Sequence, residues 1–349
     1  MRKTCVFLAS DKQEFSDASI GDYHKCMETR AEVIPAPDAS ELTRLAGLTC
    51  GFLAAAKAES TRRAYRADWN HFEAWSRQHS LAALPATPET VALYITDLAA
   101  SHKPSTLRRR LTVISRAHQA AGRPSPASMQ QALVSETLKG IRRTLGTAQA
   151  GKRPLYTEQV RAMIRALPEN LQGLRDRALL LIGFAGGFRR SELAGLAVED
   201  IAVEKDGLVI TLHRSKTDQE GQGRKVALPY GSNPETCPVR CYRDWLQAAG
   251  LEQGAVFREI DRHGRLEAKT LHKDSVGLIV KRAAARIGLD VAEYAGHSLR
   301  AGLATQAYLN GANELAIMQQ TGHRSLATVR KYIREGSLFR DNPAGKLGL

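Results

Sequence analysis

Apolar residues return every three or four positions along most of this chain, and the places where that rhythm fails mark its organisation. Tyr65, Trp69, Phe72 and Trp75 form one stripe of an amphipathic helix capped by Ser60 or Thr61, an aromatic face of the kind that builds a core. Pro88-Glu89-Thr90 opens a second helix through Val91, Leu93, Tyr94, Ile95 and Leu98, since proline suits a first helical turn. Pro104-Ser105-Thr106 opens a third, in which Leu107, Leu111 and Ile114 line the core while Arg108, Arg109, Arg110 and Arg116 remain for solvent or phosphate. One more helix is read from Ser125 to Leu145, carrying Lys139, Arg142 and Arg143.

Residues 1–45 lack sustained periodicity and include Pro35-Ala36-Pro37, which reads as a flexible leader. A helical lobe over 46–146 follows. Gly146 to Pro154 then breaks the pattern, placing a basic linker at 147–155. From Thr157 the rhythm is again helical, except that Gly207 to Leu212 and Arg224 to Leu228 have strand-like content around a polar, Gly-rich turn. The expectation is a mainly α chain: a helical N-terminal domain, then an α+β domain over 156–336 of mostly helices with a small antiparallel β-sheet, and a tail at 337–349. Leu338, Phe339, Leu347 and Leu349 make that tail a candidate for docking on a neighbouring protomer.

Charge sharpens this picture. The 349 residues hold 50 Lys plus Arg against 36 Asp plus Glu, a formal charge of +14, the electrostatic footprint of a polyanion binder. Five cysteines form neither an even framework nor a CxxC pair, which disfavours disulfide and zinc scaffolds; Cys237 and Cys241 read as reduced and structural. No apolar run reaches the roughly 18 residues of a membrane span, so no membrane partner is expected and the cytoplasm is the expected compartment.

Residues able to do chemistry cluster late in the chain. Gly296-His297-Ser298-Leu299-Arg300 opens a helix in which an imidazole and a guanidinium three apart share a face. Gly322-His323 follows, and nine residues after His323 comes Tyr332, on the flank of a stripe formed by Leu326, Val329 and Ile333. Upstream, an apolar helix over Ala178 to Ala185 breaks at Gly186-Gly187, and Phe188-Arg189-Arg190-Ser191-Glu192 presents an arginine from the turn. Arg214-Ser215-Lys216-Thr217-Asp218 puts a lysine at a hairpin tip. Each feature alone is ordinary surface or packing.

In this order, G-x-R-x-x-E, S-K-T, H-x-x-R, G-H and Y, the set over residues 155–335 closely resembles the tyrosine recombinase (phage integrase) family. The resemblance implies a Cre-like or Xer-like two-domain site-specific recombinase. In it Arg189, Lys216, His297, Arg300, His323 and Tyr332 are catalytic and Glu192 supports them. Arg189 is preferred to Arg190 because only it has Glu192 three residues on; Tyr294 and Tyr308 are rival tyrosines, but neither follows the Gly-His element. Within the 46–146 lobe, residues 55–145 resemble the family's core-binding domain only in length, helicity and basicity, and Arg108, Arg109, Arg110, Arg116, Lys139, Arg142, Arg143 and Arg190 are the candidate DNA contacts. The implied partners are double-stranded DNA with inverted-repeat core sites and, on two such sites, a homotetramer.

The implied chemistry fits these residue types. An in-line attack loads charge onto the equatorial phosphate oxygens, which planar guanidinium groups hold well. A lysine among other cations makes a competent acid for the departing 5′ oxygen, and a phenol titrating near 10 needs its proton accepted. A 3′-phosphotyrosine ester replaces a phosphodiester, so no cofactor or metal is expected. Two alternatives stay open at this point: a type IB-like DNA topoisomerase, and a catalytically silent DNA-binding protein of the same fold.

Overall fold

The computed structural model describes residues 39–128, 130–147, 151–213, 223–336 and 347. The chain divides into two compact units, Met1–Gln149 and Ala150–Leu349.

Among the described residues of the first unit, the helices are α1 (Ala39–Ala55), α2 (Glu59–Gln78), α3 (Pro88–Ala99), α4 (Pro104–Ala120) and α5 (Ala132–Leu145). The aromatic stripe of α2 does build the core: Phe72 and Trp75 lie edge-on to Tyr94 of α3, with ring centroids 4.9 and 5.2 Å apart. Thr87 caps α3, its Oγ accepting the Thr90 amide, with Pro88 in the first turn where a missing N–H costs nothing.

Sequence and structure differ here in four ways. Helix α1 begins at Ala39, inside the stretch expected as a leader, while residues 1–38 lie outside the described residues. Helix α2 starts one residue ahead of its expected caps, at Glu59 after Ala58, with no side-chain cap. The helix expected from Ser125 starts only at Ala132, because Ser125-Pro126-Ala127-Ser128 forms a turn that tucks Ala127 into the core.

The fourth difference is Arg110, which is buried rather than available to phosphate. It follows Leu107 by three and precedes Ile114 by four, so the helix carries it into the core with them. There it donates to Tyr94 Oη and lies 3.7 Å from the buried Asp68, whose carboxylate also takes a two-pronged bond from Arg109 at 2.7 and 2.9 Å.

The second unit begins with residues expected as linker that are already part of its fold: Leu155 is fully buried and its amide donates to Ser298 O at 3.1 Å. Then come α6 (Thr157–Arg165), α7 (Leu171–Gly186), α8 (Arg190–Ala194), β1 (Ile201–Glu204), β2 (Gly207–Leu212), β3 (Arg224–Pro229) and α9 (Pro238–Ala249). They are followed by β4 (Arg258–Ile260), β5 (Leu266–Thr270), α10 (Lys273–Arg286), α11 (His297–Leu309), α12 (Glu314–Thr321) and α13 (Leu326–Gly336). Strands β1, β2 and β3 form an antiparallel sheet in that order, and β4 pairs with β5.

Helix α7 is the hub. Asn170 caps its start, its apolar body is buried beside α9 and α11, and it stops at Gly187, whose left-handed φ of 59° only glycine adopts freely. A Cβ there would also sit 2.6 Å from Leu303 Cδ2 of α11, so glycine lets the helix end meet α11 closely. The turn after it carries Arg189. Cys237 and Cys241 are free and buried, as their reading as reduced structural residues requires. Among the described residues no helix is long and apolar enough to cross a membrane.

Candidate active site

The second unit brings the sequence-predicted residues of four separate segments to one place. Arg189 ends the turn after α7, and its Nη1 donates to Glu192 Oε1 at 2.5 Å while its backbone amide donates to Glu192 Oε2 at 2.9 Å. Glu192 is the third residue of the short α8 and is nearly sealed from solvent, its side chain 2% exposed. Arg189 Nη2 also reaches Gly322 O at 3.4 Å, touching the turn that carries His323.

Arg300 lies one turn into α11, 1% exposed, and its Nη1 donates to Gly187 O at 2.7 Å, closing the end of α7 onto α11. Its Nη2 is buried with no hydrogen-bond partner. Burial and the neighbouring Arg189 push its pKa down to about 10, against the pull of Glu192 and Tyr332. A third guanidinium, Arg224, stands at the start of β3 with Nη1 on Gln320 O at 2.7 Å and Nη2 3.5 Å from Glu192 Oε2. Burial pushes its pKa down too, with Arg189 adding to the effect and Glu192 opposing it. Arg189 and Arg224 therefore contact one carboxylate, with Arg300 in electrostatic reach of it, in a site largely closed to water, an excess of positive charge that an anion would relieve.

The phenol lies at the edge of this cluster. Val329 and Ile333 anchor α13 in a small core with Ala304 and Ile317, and Tyr332 packs half-buried on its flank. Thr305 Oγ1 donates to Tyr332 O at 3.0 Å, pinning the helix to α11. Tyr332 Oη is 2.7 Å from His297 Nε2. His297 presents part of its surface to solvent, yet the protein around the ring strips enough water from it to lower its pKa, helped by Arg300, Arg190 and Arg189. The neutral ring in its Nδ1–H form leaves Nε2 as acceptor for the phenol proton. Burial raises the Tyr332 pKa while Arg300 and Arg189 draw it down, so the resting phenol is protonated but the cations that would hold its phenolate are in place.

His323 follows Gly322, which ends α12 with a left-handed φ of 64°. Its ring centroid is 5.5 Å from that of Tyr332, and Nδ1 lies 2.6 Å from Thr321 Oγ1. Burial, then Arg300, Arg189, His297 and Arg224, push its pKa down to about 3, so the ring is neutral in the ligand-free site.

Other predicted residues are placed elsewhere. Lys216 lies outside the described residues, between Leu212 of β2 and Arg224 of β3. Arg190 is exposed and pairs with Asp274 at 3.1 Å, which leaves Arg189 as the member of the doublet beside Glu192. Tyr294 is buried, its Oη accepting from Gln159 at 3.3 Å, and Tyr308 packs on the small core under α13. In the first unit Arg108 and Arg142 line a cavity of about 450 Å³ with His102 and Lys103. Arg143 is exposed, Lys139 pairs with Glu136 at 3.3 Å, and Arg116 lies over the Tyr65 ring at 5.8 Å. Sequence reasoning took Arg224 only as the first residue of a strand; alternation with the buried Val226 and Leu228 is the signal that turns it inward.

Comparison with known proteins identifies the family and the fold. Residues 153–337 match the model of the phage integrase family. The chain is 42% identical over 295 residues to an integrase/recombinase XerD homolog of Selenomonas ruminantium, covering 83% of this chain and 86% of that one. It is 25% identical over 284 residues to the tyrosine recombinase XerD of Rhizobium meliloti (strain 1021), covering 79% and 85%. In fold it resembles the XerH site-specific recombinase solved in a post-cleavage complex with a palindromic difH substrate, with a TM-score of 0.63 at 16% identity, covering 96% and 98%. It also resembles a lambda integrase (75–356) dimer bound to a COC′ core site, at a TM-score of 0.53 and 15% identity, covering 90% and 94%.

Proposed function

This chain belongs to the phage integrase family and is a site-specific tyrosine recombinase that cuts and rejoins DNA, and we propose that Tyr332 is its nucleophile. The observation that carries this is the placement of one phenol against a neutral imidazole and beside the surplus of guanidinium charge around Glu192.

In the proposed reaction Tyr332 Oη attacks the scissile phosphorus as its proton passes to His297 Nε2. The P–O5′ bond breaks, a 3′-phosphotyrosine ester forms, and the departing 5′ oxygen takes a proton from Lys216. Arg189 and Arg300 hold the equatorial oxygens, the second with the unpartnered Nη2 it already presents, and His323, in its Nε2–H form with Nδ1 accepting from Thr321 Oγ1, donates from Nε2 to the same phosphate. Attack by a 5′ hydroxyl of the exchanged strand reverses these steps, so no external energy source enters the balance.

The XerH recombinase was solved on a palindromic difH substrate and the lambda integrase as a dimer on a COC′ core site. For this chain the corresponding proposal is a homotetramer on two inverted-repeat sites, with the first unit gripping the duplex through exposed cations such as Arg108, Arg142 and Arg143 and the 337–349 tail docking on a neighbour. The tail lies outside the described residues apart from Leu347.

A duplex selected from a randomised pool by binding to the purified chain tests this reading. Two copies of the selected site should assemble four protomers and exchange strands with the wild type and not with Tyr332→Phe. Exchange by the variant removes the nucleophile, and relaxation of arbitrary plasmids without site-dependent products would replace recombination by topoisomerase chemistry.

A further inference from the structure

We propose that Arg224 is a positioning residue of the recombination site, holding Glu192, and through it Arg189, together with the turn that carries His323, in the geometry that receives the scissile phosphate. This rests on the assignment of Arg189 and His323 to that phosphate. The argument is spatial. Arg224 opens β3 opposite Leu212 of β2, and the period of the strand puts its side chain on the inner face with Val226 and Leu228 while Lys225 and Ala227 face outward.

Its guanidinium then spans two elements that no backbone hydrogen bond joins to β3. One prong donates to Gln320 O near the end of α12, two residues before Gly322, and the other stands 3.5 Å from the carboxylate that also binds both the amide and the guanidinium of Arg189. Gly322 is packed directly on it: a Cβ added there would lie 2.7 Å from Arg224 Nε and 2.9 Å from Cζ, so the His323 turn takes its height from this side chain. Arg224 Nε is buried without a partner, a cost that a surface arginine avoids and that marks a side chain held for its position. A lysine carries the charge but not the fork, and cannot touch both elements at once.

Cleavage of a nicked suicide duplex, carrying the site selected by binding to the wild-type chain, tests the proposal. Arg224→Met is expected to slow covalent adduct formation about 10- to 100-fold through misplacement of the phosphate-holding groups, with DNA affinity unchanged. Because the defect lies in holding the phosphate, a substrate whose scissile 5′ bridging oxygen is sulfur, and whose leaving group needs no acid, should be cleaved by Arg224→Met with the same relative defect. Arg224→Lys, which keeps the charge and most of the buried volume, covers the case in which the methionine variant does not fold; it should react at a rate between the wild type and that variant. A wild-type rate in either variant, or full rescue by the sulfur substrate, overturns the proposal. Tyr332→Phe run alongside separates the two levels: if it still cleaves, the site assignment fails and this proposal with it, whereas an inert Tyr332→Phe beside a fully active Arg224→Met defeats this proposal alone.

Discussion

Replacing Glu192 by glutamine changes one atom type and almost no volume, yet it removes the carboxylate that Arg189 and Arg224 share. The amide keeps one acceptor oxygen and turns the other into a donor aimed at a guanidinium. Breaking a buried ion pair from one side costs about 3 to 5 kcal/mol; because both arginines keep some solvent contact, 17% and 20% for their side chains, the lower end of about 3 kcal/mol applies. For a unit of this size that is a fall of about 6 to 12 °C in Tm. Thermal denaturation followed by circular dichroism measures it. Added sulfate should restore more of the Tm in Glu192→Gln than in the wild type, since an anion then neutralises cations that have lost their own counter-charge. A Tm within about 2 °C of wild type, less than 1 kcal/mol, would refute the claim that this carboxylate holds the arginine cluster together.

Three further outcomes follow from the same geometry. Thr305→Val removes the bond to Tyr332 O, so adduct formation should slow while stability drops by only about 1 kcal/mol, read from paired kinetic and denaturant measurements; unchanged kinetics would mean α13 is seated without it. Arg300→Ala should cut the cleavage rate about 10²- to 10³-fold, measured on a suicide duplex, and a smaller loss would take Arg300 off the phosphate. His297 and His323 both resist protonation in the folded chain, the latter down to about 3, whereas their unfolded counterparts charge near 6.5. The unfolded state then binds more protons, so their contribution to stability is complete above about pH 6.5 and is lost as pH falls below it; cleavage, which needs a neutral His297, should persist at pH 6.5 and fail only further into acid. An acid limb unchanged in His297→Gln would break the link to that ring.

Much of the site is legible in the sequence because its parts lie on regular helices. His297 and Arg300 begin α11, and the stripe Leu326, Val329, Ile333 places Tyr332 on the flank where it is found. Gly186-Gly187 marks the helix end that presents Arg189, since a left-handed residue must stand there. Arg110 was misread although the same counting locates it, because a charged residue at a core position invites an outward assignment until its partners, Asp68 and Tyr94 on other helices, are known. Strands β1, β4 and β5 escaped notice because they are three to five residues long and mostly exposed, with too few apolar positions to show a period. Arg224 was passed over for a different reason: its role comes from Gln320 and Glu192, neighbours close in space and far apart in the chain.

The most direct test of the account is to trap the covalent complex on a nicked duplex, digest it, and locate the nucleotide by mass spectrometry. The peptide spanning Arg330, Lys331 and Tyr332 should carry the DNA phosphate on the Tyr332 oxygen. A phosphate on Tyr294, on Tyr308 or on a serine would contradict it.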